Sequence, residues 1–470
     1  MDTRIRRRRI GAGLAVLAVL AIVVGVIVGT SGGSSSRPPV LLPGGANAGN
    51  TIDPLAYTPA LAGAYEQRAA AGYAHVLYAK SPGGVLATAR RVAALRPLVL
   101  AAARATGADP NRLEAIAFLE SAGRADALAS STPGAAAGLT QILGETGRDL
   151  LGLRVDETAS ARLTSEIAVT TARGERGRAA TLRAARRRVD QRFDPGAALV
   201  ATGRYLAIAK RDLGGRDDLA TESYHMGIGN LESVLHAYDG GSPVPYVQLF
   251  FDSSTLHHAS AWSMLDALGD DSDTYLWRVL AAQEIMSLYR QQPARLAQLV
   301  ALQGSAQSAE HVLHPPALTA GFTTPSALRA AYASGALVAL PDAPVQTAFA
   351  IDPAIGAAAQ RLGQPASLYS GLRPAALALL RYMAVGVRSL IGKVAPQTPL
   401  TITATVQRDP SGWAFDVSRD YTSEEQARAF QFWLDRLQAL NLIAWIREPT
   451  VIHVSVAADA GTLLPTSGTP

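Results

Sequence analysis

One glutamate interrupts the apolar face of a predicted helix at residues 107–124, GADPNRLEAIAFLESAGR. Asp109 and Pro110 are typical of a helix start, and Gly123 is typical of a helix end. Apolar side chains follow Leu113 at helical spacing, and Glu120 takes the next place on that face. Loss of hydration should raise the pKa of this carboxyl group from about 4.3 toward neutrality. The group would then carry a proton that a leaving oxygen can accept, as in glycosidic bond cleavage.

Composition limits the classes of function that the chain can have. Its 470 residues, 48% of them apolar, predict about two or three packed domains. The absence of cysteine excludes disulfides and thiolate metal sites. The net charge of +5 comes almost entirely from arginine and suits an anionic surface. No basic motif with interleaved aromatic residues is present, so we expect no nucleic-acid partner.

The N-terminal segment predicts a membrane anchor. Residues 10–29 are uncharged and long enough to cross the hydrocarbon core, and an arginine-rich tail precedes them. That charge asymmetry places the N-terminus in the cytoplasm, so the protein would be a single-pass protein of the cell membrane with an extracytoplasmic body. A cleaved signal peptide is the alternative. Residues 30–52, rich in Gly, Ser and Pro, predict a flexible stalk.

The remaining chain predicts a mainly α domain and a smaller α+β domain. Apolar spacing is helical over residues 53–295, residues 296–320 are a predicted linker, and residues 461–470 are a tail. In residues 321–460, LTITATV and TVIHVSVAA alternate as half-buried strands do. A helix between them should begin at a capping box formed by Ser423 and Gln426.

Three segments in this order resemble the lysozyme-like soluble lytic transglycosylase family, over about residues 95–292. They are ESAGRADALASSTPGAAAGLTQIL, FDPGAALVATGRYL and ESYHMGIGNLESVL. Glu120 and Ser121 match the Glu-Ser pattern of the family. Gly138, Leu139 and Gln141 match its Gly-Ala-x-Gly-Leu-Met-Gln pattern, and Tyr224 and Gly227 match its Ala-Tyr-Asn-x-Gly pattern. The chain departs from the family at Thr140, Ser223 and His225, where Met, Ala and Asn are usual. It also has a longer segment with eight arginines between Arg173 and Arg192, which we interpret as solvated surface.

The resemblance implies a peptidoglycan lytic transglycosylase that needs no cofactor or metal. Glu120 would protonate the oxygen between N-acetylmuramic acid and N-acetylglucosamine and then accept the proton of the muramoyl C6 hydroxyl, giving a 1,6-anhydro product. Tyr224 would hydrogen-bond Glu120, while Ser121, Gln141 and His225 would contact the carboxylate or the sugar. Glu222 is interpreted as surface charge.

Several alternatives stay open. Glu120 could instead form a buried ion pair with a structural arginine, since such networks also perturb pKa values. A hydrolytic muramidase would use a second carboxylate, yet Asp126 is the only other acid between Glu120 and Glu145. A non-catalytic wall-binding scaffold has no need for a desolvated carboxylate. The predicted partners are glycan strands, the membrane, and proteins of cell-wall synthesis or division.

The C-terminal region resembles the Hedgehog-type zinc D-alanyl-D-alanine carboxypeptidases in a degenerate form. Asp416 and His453 match a carboxylate and the last histidine of that family, and Asp409 stands in place of its first histidine. Glu448 lies further from His453 than the family's general base does. With one imidazole and the base missing, we expect no peptidase activity, and a retained fold that positions the enzyme or binds stem peptides. Whether Asp409, Asp416 and His453 bind zinc is left open.

Overall fold

The structure, a computed structural model, describes residues 28–29, 55–254, 257–268, 271–303, 313, 321–340, 349–351, 361, 366–391, 400–406 and 408–464. The chain divides into two compact units. The helical unit comprises the described residues of Lys80–Gln298, and the mixed unit comprises those of Val26–Ala79 and Leu299–Pro470. The chain is mostly helical with a small sheet part, as the sequence predicts at this coarse level.

Most of the predicted anchor and all of the stalk lie outside the described residues. Val28–Gly29, the last two residues of the predicted anchor, form strand β1. Among the residues that are described, no helix has both the length and the apolar character needed to cross a bilayer.

The helical unit contains eleven α-helices among its described residues, and a twelfth α-helix begins near its end. Aspartates cap several of them by accepting hydrogen bonds from backbone N–H groups in the first turn: Asp109 and Asp194, as the Asp-Pro patterns predict, and Asp156. The helices are α2 Val85–Ala93, α3 Arg96–Thr106, α4 Pro110–Ser121, α5 Glu157–Ala172, α6 Arg176–Val189, α7 Pro195–Asp212, α8 Asp217–Met226, α9 Ile228–Asp239, α10 Tyr246–Asp252, α11 Ala259–Asp266, α12 Tyr275–Gln291 and α13 Pro293–Gln303.

The core of the helical unit forms around α4 and α12, which pack against each other. Leu113 and Ile116 of α4 and Trp277 of α12 are fully buried. Pairing between extended residues in this unit is limited, within its described part, to isolated bridges such as Leu128 with Ala137. Irregular loops therefore connect the helices that carry the predicted site.

The mixed unit is built on a six-stranded sheet with the order β1-β7-β8-β6-β5-β3. All neighbours are antiparallel except β3 and β5. A two-stranded sheet pairs β2 with β4. The elements are α1 Ala62–Lys80, whose last residue belongs to the helical unit, α14 Pro325–Ala333, β2 Val338–Ala339, β3 Phe349–Ile351, β4 Gly371–Leu372, α15 Pro374–Ile391, β5 Leu400–Ala404, β6 Ala414–Ser418, α16 Glu424–Ala439, β7 Ile443–Arg447, β8 Val451–Val456 and α17 Ala460–Leu463.

Local predictions in this unit are confirmed except for one half of the capping box. Strands β5 and β8 form where the alternation predicts them, and Ser423 caps α16 by accepting the N–H of Gln426. The side-chain amide oxygen of Gln426 accepts the N–H of Thr422, the residue before the cap, rather than the N–H of Ser423 that a capping box uses.

The unit boundaries differ from the predicted domain boundaries in α1 and α13. Residues 62–79 of α1 belong to the mixed unit, where the Arg68 guanidinium donates to the Leu440 carbonyl oxygen and pairs with Asp459. These long-range polar contacts carry no local signal in the sequence. Helix α13 also extends into the predicted linker, up to Gln303.

Candidate active site

Helix α4 presents Glu120 in its last turn. The Asp109 carboxylate accepts the N–H of Asn111 at 2.9 Å, and Pro110 occupies the first helical position. The helix ends at Ser121, two residues before Gly123, the predicted end, because Ala122 already adopts a left-handed conformation with φ 54°. Glu120 therefore lies at the negative end of the helix dipole, which disfavours a second negative charge there.

The pKa of Glu120 is raised, as its place on the apolar face predicts. Its side chain is half-buried, and desolvation is the largest influence on the pKa. The charge of His225, the hydrogen bond from Tyr275 and the charge of Arg278 act in the opposite direction without cancelling it. The carboxyl group consequently keeps its proton to a higher pH than an ordinary glutamate does.

Among the residues that the structure describes, Glu120 has no ion-pair partner, so the plainer alternative of a structural ion pair is not observed there. That arrangement occurs one and a half turns earlier in α4, where buried Glu114 pairs with Arg96 and Arg290. The hydrogen-bond partner of Glu120 within the described part of the chain is a phenol: the Tyr275 hydroxyl donates to Glu120 Oε1 at 2.6 Å. Glu114 and Glu120 of α4 thus differ: Glu114 forms ion pairs, and Glu120 accepts a hydrogen bond from a tyrosine.

The tyrosine that bonds Glu120 is Tyr275 rather than Tyr224, so the predicted contact of Tyr224 is wrong. The Tyr224 hydroxyl donates to the Thr140 carbonyl oxygen at 2.7 Å and lies 3.3 Å from Thr202 Oγ1. Its ring stacks against that of Tyr275, with 6.2 Å between centroids. Tyr224 therefore supports Tyr275 and fixes the loop that contains Thr140.

Glu222 is buried, and its interpretation as surface charge is wrong. Its side chain is fully enclosed, and Oε2 accepts the backbone N–H of Leu276 at 2.8 Å. Desolvation is the largest cause that raises the pKa of Glu222 well above the ordinary value. Because Leu276 is the second residue of α12, this bond fixes the turn that presents Tyr275 to Glu120.

His225 lies beside the same tyrosine. Its ring stacks on that of Tyr275 with 5.3 Å between centroids, and its Nδ1 lies 2.8 Å from Ser272 Oγ. The side chain is half-buried, and its charge influences Glu120. The structure thus brings His225 next to the predicted acid.

Ser121 and Gln141 have local backbone partners. Buried Ser121 donates to the Ala117 carbonyl oxygen and accepts the N–H of Arg124, as a helix-end serine does. The Gln141 amide nitrogen donates to the carbonyl oxygens of Ala127 and Gly138, so its two N–H groups hold the loop. If Gln141 contacts a sugar, the contact must be made by its side-chain carbonyl oxygen.

A buried arginine holds the loop between residues 134 and 144 in place. The Arg192 guanidinium pairs with Asp190 and donates to the carbonyl oxygens of Ala135 at 2.8 Å and Ile142 at 3.3 Å. Arg186 is also buried and lies over the Phe193 ring at 3.7 Å. Two of the eight arginines predicted as solvated surface are therefore structural, because each has a buried partner that charge counting does not reveal.

The other acid near the first motif stays at the surface. The Asp126 side chain is 57% exposed and lies 3.7 Å from Arg183. It has none of the burial that raises the pKa of Glu120. Together, Glu120, Tyr275 and His225 form a group in which one protonated carboxyl can give up a proton and take one back while a phenol fixes its orientation.

In the mixed unit, Asp416 and His453 contact each other, whereas Asp409, which stands in place of the zinc peptidases' first histidine, has other partners. Asp409 accepts from Ser411 and from the N–H of Trp413 within its own turn. Asp416 pairs with Arg408 and with His453 Nδ1 at 2.6 Å. Within the described part of the chain, Asp409, Asp416 and His453 do not place three ligand atoms close enough to share one ion.

The resemblance to known families rests on the sequence motifs alone. Comparison with protein-family models finds no match, and comparison with curated proteins finds none either.

Proposed function

We propose that the protein is a peptidoglycan lytic transglycosylase that cleaves the β-1,4 bond between N-acetylmuramic acid and N-acetylglucosamine. One observation carries this proposal: Glu120, at the end of α4, combines a raised pKa with an orienting hydrogen bond from Tyr275. A scaffold that only binds the wall has no use for a proton held in this way. The resemblance of three ordered motifs supplies the substrate class.

Glu120 acts first as the acid in the proposed reaction. Its Oε1 accepts the Tyr275 hydroxyl, so the transferable proton is carried on Oε2. Transfer of that proton to the glycosidic oxygen releases the N-acetylglucosamine side of the strand. Positive charge that develops on the muramoyl ring is stabilised by the carboxylate that remains.

Glu120 then acts as the base. It takes the proton of the muramoyl C6 hydroxyl while that oxygen bonds to C1 and closes the 1,6-anhydro ring. The proton is thereby restored to Glu120, and no water enters the product. One acid/base group suffices because the attacking hydroxyl belongs to the same sugar and is already close to its target.

The products of sacculus digestion test this function. Full-length protein, purified in detergent, should release muropeptides one water lighter than the products of hydrolysis. Glu120→Gln should lower the rate by a factor on the order of 10² to 10⁴. Glu145→Gln, at an exposed position in the same unit, is the control and should retain the rate. Products with a reducing muramic acid end would identify a hydrolytic muramidase, and no release by the unaltered protein would leave a binding scaffold.

We also propose that residues 10–27, the part of the predicted anchor that precedes β1, anchor the protein in the cell membrane, with both units on the extracytoplasmic side next to the wall. A protease added to intact spheroplasts should then digest the body of the protein, and the full chain should sediment with membranes. Recruitment by cell-wall synthesis or division proteins is a further expectation of that location.

A further inference from the structure

Two adjacent histidines and an aspartate meet at the junction of α9, α10 and α11 in the helical unit. Asp252 is the last residue of α10, and His257 and His258 immediately precede α11. Tyr238, near the end of α9, contacts two of the three. None of these residues belongs to the group around Glu120.

The three side chains converge to within metal-binding distance. One ligand atom from each lies within 4.8 Å of the others. His257 Nδ1 is 2.9 Å from Asp252 Oδ1, and His258 Nε2 is 3.5 Å from Asp252 Oδ2. Ligands at about 2.0–2.2 Å from a tetrahedral zinc ion lie about 3.3–3.6 Å apart. The observed separations therefore fit a shared ion after only small movements.

The tautomer of His258 favours a cation between it and Asp252. Its Nδ1 lies 2.9 Å from the Tyr238 carbonyl oxygen, which can only accept, so Nδ1 carries the hydrogen. In the neutral ring, Nε2 then presents a lone pair to the carboxylate, and the two negative ends repel each other. A metal ion at this place removes the repulsion, and hydrogen bonding of the second ring nitrogen to a carbonyl is typical of metal-bound histidine.

Contacts behind the ligands fix their orientation. The Tyr238 hydroxyl donates to Asp252 Oδ2 at 2.6 Å, and its ring stacks on that of His258 with 3.9 Å between centroids. His257, in contrast, is 63% exposed, so an ion can enter and keep water as a further ligand. The arrangement combines two oriented ligands with one open side.

We propose that Asp252, His257 and His258 bind one zinc-class transition-metal ion. Two imidazoles and a single carboxylate favour Zn²⁺ over Mg²⁺ or Ca²⁺, which prefer sets of oxygen ligands. The bound ion joins the chain segment before α11 to α10 directly and to α9 through Tyr238. The site is independent of Glu120, so its occupancy does not depend on whether the protein cleaves glycans.

Calorimetric titration of the full chain with ZnCl₂ tests the site. The protein is purified without a histidine tag, treated with EDTA and dialysed. We expect one equivalent of Zn²⁺ to bind, with a rise in melting temperature that MgCl₂ and CaCl₂ do not cause. His258→Ala and His257→Ala should each weaken binding at least about a hundredfold, and Tyr238→Phe should weaken it about tenfold through the lost hydrogen bond.

Two control variants decide where the ion binds. His236→Ala changes an exposed histidine of α9 outside the cluster and should leave binding unchanged. His453→Ala, in the mixed unit, should also leave it unchanged. The proposal is overturned if the unaltered protein binds no stoichiometric zinc, if His453→Ala abolishes binding, or if the His257 and His258 variants, folded by circular dichroism, bind as tightly as the unaltered protein.

Discussion

The Tyr275 hydroxyl donates a 2.6 Å hydrogen bond to Glu120 Oε1, although 155 residues separate them in the chain. Glu120 lies in the last turn of α4, and Tyr275 is the first residue of α12. The packing of α4 on α12 brings these two helix ends together. Glu222 secures the second helix by accepting the N–H of Leu276. The state of the candidate acid thus depends on a tyrosine whose position a second buried carboxyl fixes.

Removal of the Tyr275 hydroxyl should change the pH dependence of turnover. The bond to Tyr275 lowers the pKa of Glu120, so Tyr275→Phe should raise that pKa further. A general acid is active when protonated, and the decline of kcat/KM at high pH should therefore move to higher pH. The rate at the optimum should fall about ten- to a hundredfold, because a hydrogen bond to a charged group is worth roughly 1.5–3 kcal/mol.

Tyr224→Phe is the matched control for this experiment. Its hydroxyl bonds Thr140 and lies near Thr202, so its loss should lower the melting temperature and leave the high-pH decline where it is. If Tyr224→Phe shifts the decline and Tyr275→Phe does not, the original prediction from the motif is correct and the assignment of Tyr275 fails.

Glu222→Gln should make the helical unit less sensitive to alkaline pH. A carboxyl whose folded pKa lies above its unfolded value stabilises the fold fully below the unfolded value, and this contribution is lost as pH rises through the folded pKa. The pKa of Glu222 is raised well above the ordinary value, mainly by burial. The melting temperature of the Gln variant relative to the unaltered protein should therefore increase from pH 4.5 to pH 8.

The slope with pH is the measurement, because the amide can change stability at every pH. Each tenfold change in proton affinity is worth about 1.4 kcal/mol. Glu145→Gln, at an exposed site, should show much less slope. Equal slopes for the two variants would mean that Glu222 is hydrated in solution.

Gly138→Ala should disrupt the loop that carries Gln141. Gly138 has φ 82°, and a Cβ atom there would lie 1.8 Å from the Arg192 carbonyl oxygen. The backbone must move, so we expect a loss of more than about 2 kcal/mol of unfolding free energy and a loss of turnover.

Gly152→Ala separates the clash from the backbone conformation. Gly152 has a similar φ of 70°, but a Cβ atom there has no heavy atom within 4 Å. Its substitution should cost only the conformational penalty, about 1 kcal/mol, and retain turnover. If urea unfolding gives the same loss for both variants, the close approach of Gly138 to Arg192 has no effect on stability.

Local patterns predicted the elements of the site but not the contacts between them. The Asp-Pro helix start, the end near Gly123 and the pKa shift of Glu120 all follow from residues within one helix. Tyr275 carries no such signal, because only the packing of α12 on α4 places it. The family resemblance instead selected Tyr224, which belongs to the third matched motif.

The burial of polar residues also could not be predicted from the sequence. Glu222 lies among small and polar neighbours, so the sequence of α8 gives no sign that both its sides are covered. Arg192 resembles the other arginines of its run, but only it meets Asp190 and two loop carbonyls. In both cases contacts come from residues that are far away in the sequence, and such contacts leave no periodic pattern around the buried residue.

Asp416→Asn should destabilise the mixed unit more than Glu448→Gln does, although both residues pair with Arg408. The Asp416 side chain is 4% exposed and also bonds His453, so removal of its charge breaks the buried pair with the imidazole, whereas Arg408 keeps Glu448 as an anion. Breaking a buried pair of this kind costs about 3–5 kcal/mol. The Glu448 side chain is 33% exposed, where a pair is worth about 0–1 kcal/mol. Urea unfolding, followed by tryptophan fluorescence, to which Trp413, Trp433 and Trp445 of the mixed unit contribute, measures both losses. Equal losses would show that Asp416 is hydrated in solution and that its ion pairs do not stabilise the sheet.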